Sequence, residues 1–162
     1  NHLDPKNPIQ FPYISIDNIK YFRTGDLGFL YDHNLFITGR KKDLIIIKGK
    51  NLYPADIEHV ICRNIEQIIK ISIVIFSIEI ASDEKIVCAF EYNDITMNSI
   101  DTDLLLKKVN SVIFTNYTTT PNEIMVVKPF TLPRTSSGKI QRYLCKDHYL
   151  EKKFKIVKSI KP

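Results

Sequence analysis

Near the end of the 162-residue chain, the run TLPRTSSGKIQR (Thr131–Arg142) sets Lys139 behind small hydroxyl residues and a glycine. A phosphate-cradling loop would need a second glycine five residues before the Gly-Lys pair and a hydroxyl residue after it. Pro133 and Ile140 occupy those positions, so the run is not such a loop. What it offers instead is a flexible Ser-Ser-Gly segment presenting one lysine. A point charge delivered this way suits developing negative charge. The plain alternative is an exposed loop lysine with no task.

Two earlier stretches carry further candidates. In RTGD (Arg23–Asp26), Gly25 permits a tight turn and Asp26 offers a carboxylate at a strand end. Such a carboxylate can accept two hydrogen bonds from vicinal hydroxyls, as on a ribose. Thr-Gly-Asp turns are also common surface features without function. In GRKKDLIIIKGKNLYPADIE (Gly39–Glu58), Arg40, Lys41 and Lys42 set three cations at a strand–loop boundary beside Asp43. In isolation these read as a solvated face.

The elements that must position these residues follow from periodicity. The first twenty residues contain Pro5, Pro8 and Pro12 and read as an irregular lead-in. Apolar pieces on either side of Asp32-His33-Asn34 predict a β-hairpin. DLIIIKG, rich in isoleucine and ended by Gly49, predicts a buried strand. Pro54 opens a helix, with Ile57, Val60, Ile61 and Ile65 at helical spacing and Asp56 and Glu58 at its positive end. ISIVIFSI and KIVCAFEY read as strands joined by a turn. Leu104, Leu105, Val109, Val112 and Ile113 mark an amphipathic helix from Ser99 to about Thr115, with Asp101 as candidate cap. EIMVVKPF is a strand, and a last helix runs from Ile140 to about Tyr149. The order is an α+β pattern, a small and mainly antiparallel sheet with flanking helices.

Composition narrows the class. The hydrophobic share of 44% and charged share of 25% are ordinary for a soluble globular protein. Three scattered cysteines (Cys62, Cys88, Cys145) without CxxC spacing predict reduced, mostly buried thiols and a cytoplasmic setting. The four histidines form no metal-ligand pattern, and no metal site is expected. No secretory signal or membrane-spanning apolar run is present, and IIKISIVIFSIEI reads as a buried strand. The net charge of +5 owes much to the tail EKKFKIVKSIKP. It reads as a solvated helical end and frayed terminus, or else as a docking surface for an acidic partner. With one aromatic and no arginine, it does not favour nucleic acid.

Taken together, RTGDLGFL, LFITGRKKDLIIIKGKNLYPADIE and LPRTSSGKIQR resemble the C-terminal end of the adenylate-forming superfamily, from about Tyr21 to Leu150. That superfamily includes acyl-CoA synthetases, luciferases and peptide-synthetase adenylation domains. YPADIE and the Thr-Ser-Ser-Gly-Lys form are most similar to its fatty acyl-AMP ligase branch. The resemblance implies that residues 1–41 are the last β-rich segment of a large adenylating domain and that 42–162 form a mobile C-terminal lid. It implies that Asp26, with Gly25 in its turn, binds the ATP ribose and that Arg40 contacts the same nucleotide. Lys42 falls at the hinge, and Lys139 matches the lysine that meets the acyl carboxylate and α-phosphate. ATP is the implied cosubstrate, with magnesium accompanying it through no ligand in this chain. A fatty acid and an acyl carrier protein or polyketide-synthase carrier domain are the implied partners.

The phosphate loop, adenine-binding segment and fatty-acid tunnel would belong to the large domain, so the fragment is expected to be inactive alone. One rival expectation is an acyl-CoA synthetase lid, with coenzyme A as acceptor. Another is a non-catalytic basic interaction module.

Overall fold

Among the described residues, four tight turns have both central residues in the left-handed region: Asp17-Asn18, Asp32-His33, Lys48-Gly49 and Ala81-Ser82. Two-residue turns of this kind match the right-handed twist of the strands they join. The structure is a computed structural model that describes residues 13–68, 71–92 and 101–162. The expected lead-in prolines Pro5, Pro8 and Pro12, Lys70 in the long apolar run, and Ser99 at the expected helix start lie outside the described residues. The chain divides into two compact units after Lys42.

The described residues of the first unit form two hairpins. β1 (Tyr13–Ile16) pairs with β2 (Ile19–Phe22), and β3 (Asp26–Tyr31) pairs with β4 (Asn34–Arg40), both antiparallel. The second hairpin matches the expectation around Asp32-His33. The first corrects it: from Tyr13 the chain is regular rather than an irregular lead-in, and Asp-Asn makes the turn. Phe29 and Phe36 face each other across β3 and β4 with rings stacked at 5.2 Å. Such cross-strand pairs hold a hairpin together. They do not make a core, and Phe29, Leu30, Tyr31, Leu35, Phe36 and Ile37 are all exposed.

The second unit is built on a sheet covered on both faces. Its strand order is β10 (Ile156–Ile160), β9 (Glu123–Val127), β8 (Asp83–Glu91), β7 (Ser72–Ile80). Only β8 and β9 are parallel. A parallel pair needs a crossover connection, and helix α2 (Thr102–Tyr117) lies in it. A small hairpin, β5 (Ile45–Ile47) with β6 (Lys50–Leu52), precedes helix α1 (Pro54–Asn64), and helix α3 (Arg142–Leu150) comes last.

Strand periodicity assigns the two cores. Ile75, Ile86, Cys88, Phe90, Ile124 and Val126 face one side and pack with Ile57 and Ile61 of α1 and Leu105, Leu106, Val109 and Ile113 of α2. Val74, Phe76, Val87, Ala89, Met125 and Val127 face the other, with Leu132, Cys145 of α3 and Phe154. Burial on both faces is why these strands read as unbroken apolar runs. Each fully buried Ile or Leu contributes about 1.5–3 kcal/mol.

Helix α1 begins with Pro54 at its first turn, as expected, and keeps Ile57, Ile61 and Ile65 on its inward side. Asp101 caps α2 by accepting the Leu104 N–H at 3.1 Å. The buried stripe is Leu105, Leu106, Val109 and Ile113, so it differs from expectation in one place: Leu104 is exposed, and Leu106 is buried instead. The tail is also corrected. Phe154 is buried, and Ile156–Ile160 pair with β9 as an edge strand. The tail is therefore part of the sheet rather than a frayed end.

DLIIIKG is a strand only over Ile45–Ile47, and of these only Ile45 is fully buried. Tyr149 of α3 donates to buried Glu123 of β9 at 2.8 Å, pinning helix to sheet. All three cysteines are free, with Cys88 and Cys145 buried. Burial pushes the Cys145 thiol up to about 12, so it carries no thiolate at neutral pH. No helix among the described residues is long and apolar enough to cross a membrane.

Candidate functional site

The residues singled out from the sequence fall into two clusters, one in each unit. In the first, Gly25 adopts φ +77, which costs a residue with a side chain but leaves glycine unstrained. The Thr24 hydroxyl accepts the Asp26 N–H at 3.0 Å, and the Gly25 carbonyl accepts the Lys41 N–H at 2.8 Å. These bonds fix the mouth of the second hairpin. Asp26 and Arg40 are register partners there, and Arg40 Nε donates to Asp26 Oδ1 at 3.0 Å. An exposed pair of this kind contributes little to stability. Its effect is orientation: one carboxylate oxygen is held, and Oδ2 accepts from no described residue. The structure thus brings Gly25, Asp26 and Arg40 together.

After Arg40 the chain passes through a single 3₁₀ turn, Lys41–Asp43. Lys42 is the last residue of the first unit and Asp43 the first of the second.

Lys139 belongs to the second unit, and its loop differs from the flexible segment expected. Arg134 and Ile140 form an antiparallel bridge. Between them Thr135-Ser136-Ser137-Gly138 is a closed turn. The Gly138 N–H donates to Thr135 O at 2.9 Å, and the Thr135 N–H donates to Lys139 O at 2.9 Å. The Lys139 N–H donates to the Thr135 hydroxyl at 3.1 Å, and that hydroxyl also lies 2.9 Å from Ser137 Oγ. Gly138 sits at φ +84, a left-handed position that closes the turn. The small hydroxyl residues therefore act as internal ties. They hold the backbone of Lys139 while its side chain stands exposed.

Two arginines anchor this turn to the sheet, one at each end. Arg134 donates to Glu91 at 2.9 Å, to Ser72 at 2.8 Å and to Gly138 O at 3.2 Å. Glu91 also accepts the Leu132 N–H at 2.7 Å. Beyond the turn, Arg142 donates from Nε to Ile75 O at 2.7 Å, from Nη1 to Asp43 at 3.2 Å and from Nη2 to Glu58 at 2.7 Å. Glu58 additionally accepts the Ile75 N–H at 2.9 Å. Burial pushes the Glu58 carboxyl above its ordinary value, even against the attraction of Arg142. Burial also works against the Arg142 charge, yet Glu58 and Asp43 hold its pKa above its ordinary value.

Sequence reasoning missed these supports. Arg134 and Arg142 lie inside the quoted motif, but their acidic partners are 43 to 99 residues away. A repeated arginine flanking an ordered turn was the only local signal.

Comparison with known proteins identifies the family of the chain. The chain is 34% identical over 131 residues to JamA of Moorena producens (strain JHB), named as a medium-chain-fatty-acid–acyl-carrier-protein ligase. That match covers 81% of this chain and 22% of JamA. It is 33% identical over 137 residues to the long-chain-fatty-acid–AMP ligase FadD23 of Mycobacterium tuberculosis (strain CDC 1551 / Oshkosh), covering 83% of this chain and 22% of FadD23. The crystal structure of a fatty acid AMP ligase from Legionella pneumophila matches with TM-score 0.58 and 34% identity, covering 90% of this chain and 25% of that one. The structure of McyG A-PCP complexed with phenylalanyl-adenylate matches with TM-score 0.65 and 25% identity, covering 80% and 20%. The chain spans about a fifth of the length of the curated relatives it matches. The resemblance to adenylate-forming enzymes is thereby borne out. Residues 42–159, well over half of the chain, match the family described as Disco-interacting protein 2-like, AMP domain, and the chain belongs to that family.

Proposed function

We propose that this chain is the C-terminal, lid-bearing part of an ATP-dependent fatty acyl-AMP ligase. Residues 1–41 close a larger adenylating domain, and 42–162 form the lid. The exposed apolar residues of the second hairpin, which has no core of its own, support the first assignment. The observation that carries the proposal is Lys139 itself, a cation exposed on a turn that two partly buried arginine clusters anchor.

In this reading the fatty-acid carboxylate attacks the α-phosphate of ATP. A new P–O bond forms, the bond to the β-phosphate breaks, and pyrophosphate leaves. Both reactants are anions, and charge grows on the α-phosphoryl oxygens. The ammonium of Lys139 meets that charge where closure of the lid excludes water. Asp26 turns Oδ2 toward the ribose hydroxyls, steadied by Arg40 and by the turn at Gly25. Lys42 is the hinge between two working orientations. The acyl group then passes to the phosphopantetheine of a carrier protein. Magnesium accompanies ATP in such chemistry. Among the described residues no group of three His, Cys, Asp or Glu side chains stands ready to hold an ion. Free thiols, with Cys88 and Cys145 buried, fit a cytoplasmic enzyme.

The test is Lys139→Ala in the full-length enzyme. Pyrophosphate release with fatty acid and ATP should fall on the order of a hundredfold or more. Release within about threefold of wild type, against that scale, would leave the non-catalytic interaction module as the better reading. A second reading, transfer to coenzyme A, draws support from relatives named putative fatty-acid–CoA ligase FadD21. Assaying both acceptors separates it from carrier transfer.

A further inference from the structure

Arg142 lies three residues beyond Lys139, opens helix α3 and touches three separate parts of the second unit. Its Nε reaches the carbonyl of Ile75 in the middle of β7, Nη2 reaches Glu58 on α1, and Nη1 reaches Asp43 in the 3₁₀ turn. Asp43 is the first residue after Lys42. The same guanidinium thus joins the start of the unit to the end of the lysine-bearing turn, 99 residues away in sequence. On the near side, the Gln141 N–H donates to Pro133 O at 2.9 Å and closes the base of that turn.

We propose that Arg142 is a positioning residue for Lys139, clamping the segment next to the hinge, helix α1 and strand β7 to the turn that presents the lysine. The proposal rests on the reading of Lys139 as the adenylation cation. When the second unit reorients about Lys42, Asp43 moves first, and Arg142 makes the Lys139 turn move with it as one body. A planar guanidinium can serve three acceptors in three directions at once, and an ammonium on a flexible stem cannot hold that geometry. Precision matters here because a misplacement of about 1 Å at a reacting centre can cost on the order of a hundredfold in rate. Glu58 keeps its bond from the Ile75 N–H whatever Asp43 does, so the clamp can be loosened at Asp43 without dismantling the core.

The experiment uses the full-length enzyme with Asp43→Ala and Arg142→Lys, each with Lys139 present and in a Lys139→Ala background. Adenylation is read as kcat and ATP KM, and transfer from preformed adenylate is read separately. With Lys139 present, each variant should lower adenylation kcat about tenfold or more, with ATP KM and the transfer step within about twofold. In the Lys139→Ala background the same substitutions should add less than about a twofold further loss, because the group they position is gone. A loss that persists undiminished without Lys139 would make Arg142 merely structural and overturn the proposal while leaving Lys139 its role. Wild-type adenylation by Asp43→Ala would overturn it as well. Wild-type adenylation by Lys139→Ala would overturn both this proposal and the reading beneath it. Arg142→Lys can fail to fold, and Asp43→Ala then decides alone, since Arg142 keeps its bonds to Ile75 and Glu58.

Discussion

Asp26 and Glu58 are both carboxylates paired with arginine, yet the consequences of removing the pairing differ with burial. Asp26 and Arg40 stand near solvent, with side chains 30% and 53% exposed. Asp26→Asn should change stability by no more than about 1 kcal/mol. If Asp26 receives the ribose hydroxyls, the same substitution weakens charge-assisted hydrogen bonds worth about 1.5–3 kcal/mol each, so ATP affinity in the full-length enzyme should drop at least about tenfold. Unchanged affinity in a folded variant would remove Asp26 from the nucleotide site.

Glu58 and Arg142 are only 19% and 23% exposed. Arg142→Gln leaves Glu58 without its main cation and should cost about 3 kcal/mol, the lower end for a buried pair. The pH dependence has a definite sign. Burial already raises the Glu58 pKa, and loss of Arg142 raises it further. A carboxyl with a raised folded pKa contributes stability below its unfolded pKa and loses it as pH rises through the folded one. The deficit of Arg142→Gln relative to wild type should therefore grow in urea unfolding as pH rises from the ordinary carboxylate range through the raised folded pKa of Glu58. A flat deficit would show that Glu58 carries no charge cost.

Among the elements, the hairpin of β7 and β8 has the least expected turn, because Ala81 and Ser82 both sit at positive φ. Neither residue type favours that region, whereas Asn-Gly does. Replacing the pair by Asn-Gly should stabilise the second unit by about 1 kcal/mol, read as a higher urea midpoint. A lower midpoint would mean that the two side chains have contacts outweighing the strain. Elements with a strong, one-sided signal were legible beforehand. Pro54 with Ile57, Ile61 and Ile65 marked α1, and the doubly buried strands stood out as apolar runs. Three successive leucines, Leu104 to Leu106, made the phase of α2 hard to read, and the expected stripe placed Leu104 inward where the fold buries Leu106.

The tail was hidden for a different reason. Edge strands carry lysines that discourage pairing with other chains. Lys155, Lys158 and Lys161 therefore resembled a solvated end, although Ile156–Ile160, which contains Lys158, completes the sheet. The turn around Lys139 was visible as a motif, but its anchoring was not. That anchoring comes from Glu91, Glu58 and Asp43, which only the fold brings to the two arginines.

At the scale of the whole molecule, the chain forms two compact units joined through Lys41–Asp43, and a reorienting lid would have to turn there. A hinge concentrates a large φ/ψ change in a few residues. Proline fixes φ near −65°, within the range of a 3₁₀ turn, and so accepts one orientation while resisting rotation away from it. Lys42→Pro in the full-length enzyme should keep one half-reaction and lose the other. Adenylate formation and transfer from preformed adenylate would be measured separately. Lys41→Pro is an informative comparison, because the Lys41 N–H donates to Gly25 O and its loss disturbs the mouth of the hairpin as well. Lys42→Ala is the milder control, removing the side chain while leaving φ free. If Lys42 is the pivot, Lys42→Ala should support both half-reactions, and Lys42→Pro should separate them. Near-normal rates in both steps for Lys42→Pro would move the pivot elsewhere, and equal losses in both steps would mean general damage rather than a trapped hinge.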